Sequence, residues 1–198
     1  MSPRPLTSAR KGAPKGSAKS VVIFVHGYGA NGADLLGLAD PLAPHMRDTA
    51  FYAPDAPENC QGNPMGFQWF PIPWLDGSSE EAALSGQAQA AEDLNAFVDA
   101  VLADEGIPSS ALALVGFSQG TMMSLHIAPR RAEPIAVLVG FSGRLLQPET
   151  LAAETKSKPP ILLIHGDADP MVPVASLPEA ADALVKAGFE TYAHVCKG

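Results

Sequence analysis

The stretch GFSQG, residues 116–120, decides the fold that this sequence predicts. The apolar run 111–115 (ALALV) precedes it and is typical of a buried strand, and the run 121–128 behind it is compatible with a helix that Pro129 ends. The pattern G-x-S-x-G between a strand and a helix predicts a sharp turn, a nucleophile elbow, with Ser118 at its tip. The glycines make room for this turn, and the serine is held strained with its hydroxyl exposed above the sheet edge.

A glycine-rich loop follows the first long predicted strand. Residues 21–25 (VVIFV) form a continuous β-branched and aromatic run, which favours a parallel strand buried on both faces. The run leads into HGYGANG, residues 26–32, whose backbone N–H groups can hold an anion or a developing oxyanion at the carboxyl end of the strand. A plain strand-to-helix turn is the alternative interpretation of this loop.

Predicted strands alternate with predicted helices along the rest of the chain. The clearest helix runs from Glu80 to about Asp104, with Ser79 as its N-cap and Gly106 behind its end. The other predicted strands are 49–53, 135–141, 161–164 and 189–195, and the other predicted helices are 33–46, interrupted near Pro41, and 176–187. This alternation predicts an α/β fold with a mostly parallel central sheet flanked by helices. Polar clusters follow three of the strands, so we expect them to converge on one edge of the sheet.

Residues 54–79 form a proline-rich segment without regular periodicity. It contains five prolines and a dense aromatic group, Phe67, Trp69, Phe70 and Trp74. Segments of this length are usually functional or disordered, and the aromatic density argues against a disordered linker. We therefore interpret the segment as an ordered excursion that covers a site, with Trp69, Phe70 and Trp74 in the substrate pocket. A loop packed on the core for stability alone is the alternative.

Composition limits the classes of function. The chain of 198 residues is 46% hydrophobic, which favours one domain, and no apolar run approaches the roughly 18 residues of a membrane span. The first twenty residues carry five bases, no acid and no apolar core of a secretory signal, so residues 1–20 are predicted to be a basic, loosely ordered tail, with a short edge strand as the one regular element that it could hold.

The rest of the chain is acidic. With the five bases of the tail set aside, 8 basic residues face all 21 acidic ones, a formal charge of −13 for residues 21–198. This charge argues against nucleic acid as a partner. The two cysteines, Cys60 and Cys196, neither require a disulfide framework nor supply a cysteine-rich metal site, and they make the cytoplasm the default location.

Three motifs stand in order along the chain. They are HGYGANG at residues 26–32, GFSQG at 116–120 and HGDADPMVP at 165–173. Together they resemble the α/β-hydrolase fold and, more narrowly, the phospholipase/carboxylesterase family that includes the acyl-protein thioesterases. The resemblance covers nearly the whole chain from about Ser20. It implies one α/β-hydrolase domain over residues 21–198, a serine esterase or thioesterase activity through an acyl-enzyme, and no cofactor.

The resemblance assigns roles by position. Ser118 matches the nucleophile and Asp169 the acid of the catalytic triad, whereas Asp167, the competing acid, suits a structural role in the turn. The backbone N–H groups of Tyr28 and Gln119 match the two oxyanion donors.

The histidines of the two flanking motifs, His26 and His165, are expected to order their loops. A metal cluster of His165, Asp167 and Asp169 is disfavoured, because no pattern of supporting residues accompanies it, and no metal is predicted.

The triad base departs from the family pattern. A triad in this fold runs Ser, acid, His along the chain, and His194 is the sole histidine after Asp169. His194 lies inside the predicted strand 189–195, whereas the family places its base in the loop behind that strand. We therefore expect a truncated chain whose catalytic histidine follows Gly198 and which lacks the last helix, with His194 as the alternative base.

The leading hypothesis is a serine hydrolase that acts on small-molecule carboxylic esters or thioesters. The missing base motivates a second hypothesis, a non-catalytic binding protein with a hydrolase fold, and an acyltransferase with the same covalent intermediate is a third. Neither a nucleic-acid partner nor stable membrane insertion is expected. The acyl-chain length, the preference between esters and thioesters, and the oligomeric state are not predicted.

Overall fold

The computed structural model of the chain describes residues 2–60 and 62–198. Its strands are β1 (Ser8–Gly12), β2 (Ser20–Val25), β3 (Thr49–Pro54), β4 (Glu58–Cys60), β5 (Asn63–Gln68), β6 (Leu112–Phe117), β7 (Val137–Phe141), β8 (Ile161–Gly166) and β9 (Thr191–Cys196). Its α-helices are α1 (Gly32–Leu36), α2 (Ala39–Leu42), α3 (Pro73–Asp76), α4 (Glu80–Glu105), α5 (Gln119–Ile127), α6 (Pro148–Glu154) and α7 (Ser176–Lys186). Within the described residues, no helix is both long enough and apolar enough to cross a membrane.

Seven strands form one sheet in the order β1-β3-β2-β6-β7-β8-β9. β1 runs antiparallel to β3, and all the other neighbouring pairs are parallel. The predicted α/β class with a mostly parallel central sheet is therefore confirmed. An antiparallel hairpin of β4 and β5, which the sequence does not predict, stands apart from this sheet inside the proline-rich excursion.

Strand β2 shows why a continuous apolar run suits this sheet. Val21, Ile23 and Val25 belong to the larger core, which also contains side chains of α4 and α5. Val22 and Phe24 belong to a second core with residues of α1 and β3. Because successive side chains of a strand point to opposite faces, both faces of β2 are buried, as the run VVIFV predicts.

The helices begin and end largely where the sequence indicates. In α4, the Ser79 hydroxyl accepts a hydrogen bond from the N–H of Ala82, and Gly106 ends the helix in the left-handed conformation with φ of 67°. The interrupted helix predicted for residues 33–46 is two short helices, α1 and α2, but the break lies before Ala39 and not near Pro41. Pro41 is compatible with α2, because it lies in the first turn, where backbone N–H groups have no intrahelical partner.

The N-terminal segment contains the short edge strand that the sequence allowed and is attached to the domain more firmly than a loosely ordered tail would be. Residues Ser8–Gly12 form the edge strand β1, and two arginines of the segment form ion pairs with buried carboxylates of α4. Arg4 Nη2 lies 2.8 Å from Asp93 Oδ2, and Arg10 Nε lies 2.6 Å from Glu105 Oε1. Composition alone suggests a solvated arm, but these contacts with partners about ninety residues away hold the segment against the domain.

Glu105 is one of the two anchors of this segment, and three hydrogen bonds from two side chains meet at its buried carboxylate. Arg10 donates two hydrogen bonds to it, and the Tyr52 hydroxyl donates a third. The hydrogen bond from Arg10 is the main reason why the pKa of Glu105 lies below its ordinary value, with burial acting in the opposite direction. Burial and the contact with Glu105 raise the pKa of Tyr52 to about 12.

Replacing Glu105 by glutamine is expected to lower the free energy of unfolding by about 2–4 kcal/mol, because it leaves the Arg10 guanidinium without its counter-charge. Since the folded pKa of Glu105 is depressed, its contribution is fully present above an unfolded pKa of about 4.3 and is lost as the pH falls through the folded value. Urea unfolding at pH 7 and at successively lower pH measures both effects.

The exposed pair between Lys11 and Asp40 supplies the matched control, since it also joins β1 to the domain. Asp40→Asn should cost less than about 1 kcal/mol, because water screens this pair. Equal losses for Glu105→Gln and Asp40→Asn would contradict the role assigned to the buried carboxylate.

Candidate active site

Ser118 lies at the junction of β6 and α5, with φ of 53° and ψ of −115°. Positive φ is unusual for a residue with a Cβ, and such strain persists where the surrounding structure enforces it. The Ser118 N–H donates to the carbonyl of Phe141 at 2.8 Å, and its carbonyl accepts the N–H of Met122 at 3.1 Å. The turn is therefore fixed from the neighbouring strand and from the helix that follows it.

The two glycines of the elbow are required by close backbone packing. A Cβ on Gly116 would lie 2.6 Å from the backbone of Thr121, and a Cβ on Gly120 would overlap the carbonyl of Val25. Helix α5 can therefore approach β2 and β6 closely only with glycine at these positions. This approach places Ser118 beside the loop that follows β2.

The loop of residues 27–30 contacts the elbow directly. A Cβ built on Gly27 would lie 3.3 Å from the Cβ of Ser118, so the two backbones are neighbours. Residues Gly29 and Ala30 are held from outside, because the N–H of Gly29 donates to Phe67 and the N–H of Phe67 donates to Ala30, both at 2.8 Å. Strand β5 of the excursion thus fixes the conformation of this loop.

The N–H groups of Tyr28 and Gln119 are the two predicted oxyanion donors. Both residues lie on the wall of the cavity that contains Ser118. Within residues 2–60 and 62–198, neither N–H donates a hydrogen bond to another backbone or side-chain group. The neighbouring Cys60 thiol and burial raise the pKa of Tyr28 to about 12. The phenol is therefore neutral near pH 7 and does not serve as a base.

His26 orders its loop, as the sequence indicates. Its ring is fully buried, the Nε2 atom accepts the N–H of Ala56 at 2.9 Å, and Nδ1 lies 2.7 Å from the carbonyl of Gly27. These partners assign the proton to Nδ1. Burial lowers the pKa of His26, so it stays neutral and has no nitrogen left for a proton transfer.

The side chain of Gln119 has a role that sequence analysis missed. Its carbonyl oxygen accepts the N–H of Trp69 at 2.9 Å, and its amide donates to the carbonyl of Phe70 at 2.8 Å. The residue behind the serine therefore attaches the aromatic excursion to the elbow. One signal in the sequence indicates this role. Gln119 stands where the buried start of a helix is expected, and a buried side-chain amide needs hydrogen-bond partners.

Trp69 differs from its predicted place in the pocket. Its side chain is completely buried, its indole N–H donates to the carbonyl of His26 at 2.9 Å, and it is not among the residues of the cavity wall. Phe70 and Trp74 do lie on that wall. Side chains at 69 and 70 point in different directions, so only part of the aromatic group can face the cavity.

The cavity beside Ser118 has a volume of about 470 Å³. Its wall is formed at the carboxyl ends of β2, β6, β7 and β8, the edge at which ligands bind in open α/β sheets. Most of the lining side chains are apolar, among them Phe70, Ile72, Trp74, Leu75 and Met122. The described geometry thus places the half-buried Ser118 on the wall of a mostly apolar cleft.

Asp169 also lies on this wall, in the turn behind β8. Its Oδ1 atom accepts the N–H groups of Met171 and Val172, both at 2.9 Å. Burial acts to raise the pKa of Asp169, but these two hydrogen bonds, with smaller contributions from Ser142 and His165, outweigh it and hold the pKa below its ordinary value. The carboxylate is therefore ionised and oriented at neutral pH.

Asp167 and His165 have other partners. Asp167 is not a wall residue, and its Oδ1 atom accepts the N–H of Gly198 at 3.0 Å. The buried His165 ring has Nε2 2.9 Å from the carbonyl of Val172, which assigns a proton to that nitrogen. Nε2 lies 3.6 Å from Asp169 Oδ2, so His165 supports the turn that carries Asp169.

None of the five histidines of the chain lies on the wall of the cavity in the described part of the structure. His194 is exposed in the middle of β9, where it is paired with Ile164. His126 lies on α5 next to Gln87, and burial, with the charge of Arg130, lowers its pKa to about 4. Gly198, four residues beyond His194, does lie on the wall.

A metal centre has no support in this geometry. Among residues 2–60 and 62–198, no group of three or more His, Cys, Asp or Glu side chains is arranged to hold a metal ion. His165 and Asp169, two members of the disfavoured cluster, are engaged with the backbone of the turn instead.

Comparisons with known proteins agree with the geometry. The sequence model of the phospholipase/carboxylesterase family matches residues 9–198. Esterase YpfH of Escherichia coli is 32% identical over 181 residues, which are 88% of this chain and 72% of that protein. Acyl-protein thioesterase 1 of Kluyveromyces lactis is 30% identical over 200 residues, which are 96% of this chain and 85% of that protein.

A solved structure supports the same assignment. The crystal structure of esterase PE8 superimposes with a TM-score of 0.92 at 41% sequence identity, and the match covers 98% of this chain and 90% of that one. With the elbow at Ser118, the family match over nearly the whole chain and these esterase and thioesterase relatives, the chain belongs to the phospholipase/carboxylesterase family of α/β-hydrolases.

Proposed function

We propose that this protein is a serine hydrolase that cleaves carboxylic esters or thioesters through an acyl-enzyme. The observation that carries the proposal is the strained Ser118, which shares one cavity wall with Tyr28, Gln119 and Asp169. The relatives named esterase and acyl-protein thioesterase support an ester or thioester substrate of small-molecule type for this chain as well.

In the proposed first step, the Ser118 hydroxyl oxygen attacks the acyl carbon while its proton passes to a histidine base. The negative charge that develops on the carbonyl oxygen is stabilised by the N–H groups of Tyr28 and Gln119, which have no other acceptor among the described residues. The leaving alcohol or thiol takes the proton from the histidine. Water then attacks the acyl-enzyme by the same route and releases the acid.

Asp169 is proposed to orient the base and to stabilise its charged form. Its depressed pKa keeps the carboxylate ionised, and the bonds from Met171 and Val172 hold one oxygen while the other stays available. Fixing the imidazole in the correct tautomer is the established role of a triad carboxylate.

We propose that the base is a histidine that reaches the cavity wall next to Asp169. The support is positional, since Gly198 lies on the cavity wall with Asp169, whereas His194 is exposed on β9 and lies away from that wall. His194 remains the competing base. His194→Gln separates the two, because it should abolish turnover only if His194 transfers the proton.

The apolar part of the wall is proposed to bind the acyl chain. Phe70 and Trp74 come from the excursion, and Met122 comes from the elbow helix. The mechanism needs no cofactor, because the serine, the oxyanion donors and the base supply the whole reaction. Both cysteines are free, which is compatible with the proposed cytoplasmic location.

A non-catalytic binding protein is the competing proposal, and the observation in its favour is that no described histidine lies on the cavity wall. Pre-steady-state hydrolysis of a 4-nitrophenyl ester by the native protein separates the two. A serine hydrolase is expected to release a first burst of nitrophenolate equal in amount to the protein, followed by slower turnover. A progress curve that matches the buffer blank would overturn the hydrolase and favour the binding protein.

An added acceptor alcohol addresses the acyltransferase. If hydrolysis dominates, the free acid remains the main product when the alcohol is present at moderate concentration. An ester of the acceptor as the main product would reassign the protein as a transferase, with the same acyl-enzyme.

A further inference from the structure

Arg144 is the one cationic side chain among the described residues on the wall of the Ser118 cavity. Arg144 follows β7, and its neighbour Gly143 lies against the elbow. A Cβ on Gly143 would lie 3.1 Å from the carbonyl oxygen of Ser118. The loop behind β7 therefore brings a guanidinium to the cleft in which the ester would react.

The guanidinium is held in position by an aromatic ring. Its central carbon lies 5.1 Å from the centroid of the Trp74 ring, within the range of a cation–π contact. Trp74 lies on α3, and Asp76 of the same helix accepts the N–H groups of Ile72 and Ser78, both at 2.9 Å. The carboxylate of Asp76 thus orders the segment that carries the tryptophan.

Arg144 has no protein counter-ion in the described part of the chain. No carboxylate lies within ion-pair distance, and the guanidinium donates no hydrogen bond to residues 2–60 or 62–198, although the side chain is half-buried. Glu80 shares with Arg144 the wall of an adjoining cavity of about 170 Å³ but lies beyond 4.0 Å. By contrast, Arg4, Arg10, Arg130 and Arg131 all pair with Asp or Glu side chains.

The other charged side chain on the wall is Asp169. Its Oδ1 atom is occupied by two backbone N–H groups, and its role as triad acid would set it beside a positively charged base. In an acidic protein of net charge −8, an isolated cation in an apolar cleft creates a local site for negative charge.

From this arrangement we infer that Arg144 determines substrate specificity by binding a carboxylate carried by the ester substrate. The inference rests on the proposed hydrolase function and goes beyond it by naming the class of substrate, an ester with an anionic group apart from the bond that is cleaved. A guanidinium whose N–H groups have no protein acceptor can form a charge-assisted, bidentate pair with such a carboxylate.

The test compares matched esters within each protein, so that any general loss of activity cancels. On the acyl side, the pair is the 4-nitrophenyl monoester of suberic acid and 4-nitrophenyl octanoate. To test the leaving-group side, the anionic ester is the octanoyl ester of 4-hydroxybenzoate and the neutral ester is the octanoyl ester of 4-hydroxybenzamide. In at least one pair, Arg144→Gln should lower the ratio of kcat/KM for the anionic to the neutral ester about tenfold, a typical effect of one charge-assisted hydrogen bond.

Arg144→Lys should retain part of the ratio, because it keeps the charge and loses the planar fork. Arg47→Gln, at an exposed arginine that bonds to the carbonyl of Pro44, is the matched control and should leave both ratios unchanged. The pair of esters whose ratio falls in Arg144→Gln shows whether the carboxylate belongs to the acyl group or to the leaving group. Ratios that stay within twofold of the native values for both pairs in Arg144→Gln would overturn the inference.

A binding measurement keeps this test separate from the proposed function. In protein carrying Ser118→Ala, calorimetric titration with the two neutral and two anionic esters reports affinity without turnover. Adding Arg144→Gln should weaken binding of the preferred anionic ester about tenfold. Failure of the proposed function would appear as absent turnover of the neutral esters by the native protein, whereas failure of the Arg144 inference would appear as unchanged affinity and unchanged ratios.

Discussion

Ser118→Ala is expected to lower kcat/KM for a neutral 4-nitrophenyl ester by about 10⁴- to 10⁶-fold. The hydroxyl is the proposed nucleophile, and its removal would leave the proposed oxyanion donors and substrate binding to accelerate attack by water. The free energy of unfolding should stay within about 1 kcal/mol of the native value, because the turn is held by backbone hydrogen bonds to Phe141 and Met122. Steady-state kinetics and urea unfolding of the same preparation measure the two quantities.

Ser124→Ala is the matched control for this prediction. Ser124 lies on α5, is equally a serine, and its buried hydroxyl donates to the carbonyl of Gly120 at 2.8 Å. The change should alter kcat/KM by less than about tenfold, because Ser124 does not line the cavity. If Ser118→Ala kept more than a tenth of the native kcat/KM, the nucleophile would have to be assigned to another residue.

Asp169→Asn is expected to lower kcat by about 10⁴-fold with a small change in KM. The amide has nearly the same shape as the carboxylate, so the turn behind β8 should persist, but the amide cannot stabilise the charged imidazole and favours the wrong tautomer. The expected loss therefore falls on the chemical step rather than on substrate binding. Separate determination of kcat and KM for the same neutral ester tests this division.

Asp167→Asn is the matched control for Asp169→Asn, because Asp167 lies two residues before Asp169 in the same turn. Asp167 lies off the cavity wall and accepts a single hydrogen bond from Gly198, so its replacement should change kcat by less than about tenfold. Equal losses for the two substitutions would show that the turn as a whole, and not the charge of Asp169, is needed. A larger loss for Asp167→Asn would transfer the role of triad acid to Asp167.

Local patterns account for most of the sheet. The runs at residues 21–25 and 161–164 are continuously apolar and predict strands, and both become parallel strands of the central sheet. Helix α4 is equally accessible from the sequence, because its apolar spacing, its Ser79 cap and Gly106 all agree. Where apolar spacing and capping residues indicate the same helix, tertiary contacts do not change the helix that forms.

Long-range pairing accounts for what the sequence did not reveal. The first twenty residues have the composition of a solvated arm, and β1 forms only because β3 offers an edge and Glu105 offers a buried carboxylate for Arg10. No local signal reports a partner that lies 95 positions away. The β4–β5 hairpin was not predicted for a related reason, since both strands lie in a proline-rich segment whose apolar and polar residues alternate little.

The candidate site shows the same division. Ser118 and Asp169 follow strands whose carboxyl ends meet at one edge, so topology alone predicts that they approach each other. The hydrogen bonds from Gln119 to the backbone of Trp69 and Phe70 join segments about fifty residues apart, and the stacking of Arg144 on Trp74 joins segments seventy apart. These contacts depend on the detailed packing of the excursion, which the sequence does not encode as a recognisable pattern.

The central claim is that Ser118 becomes covalently acylated, and trapping with an active-site-directed fluorophosphonate followed by peptide mass spectrometry tests it most directly. The native protein should gain one phosphonyl group, located on Ser118, and the Ser118→Ala protein should gain none under the same conditions. A known serine esterase labelled in parallel establishes that the reagent is active. An adduct on a different residue, or no adduct on the native protein while the reference esterase is labelled, would contradict the account.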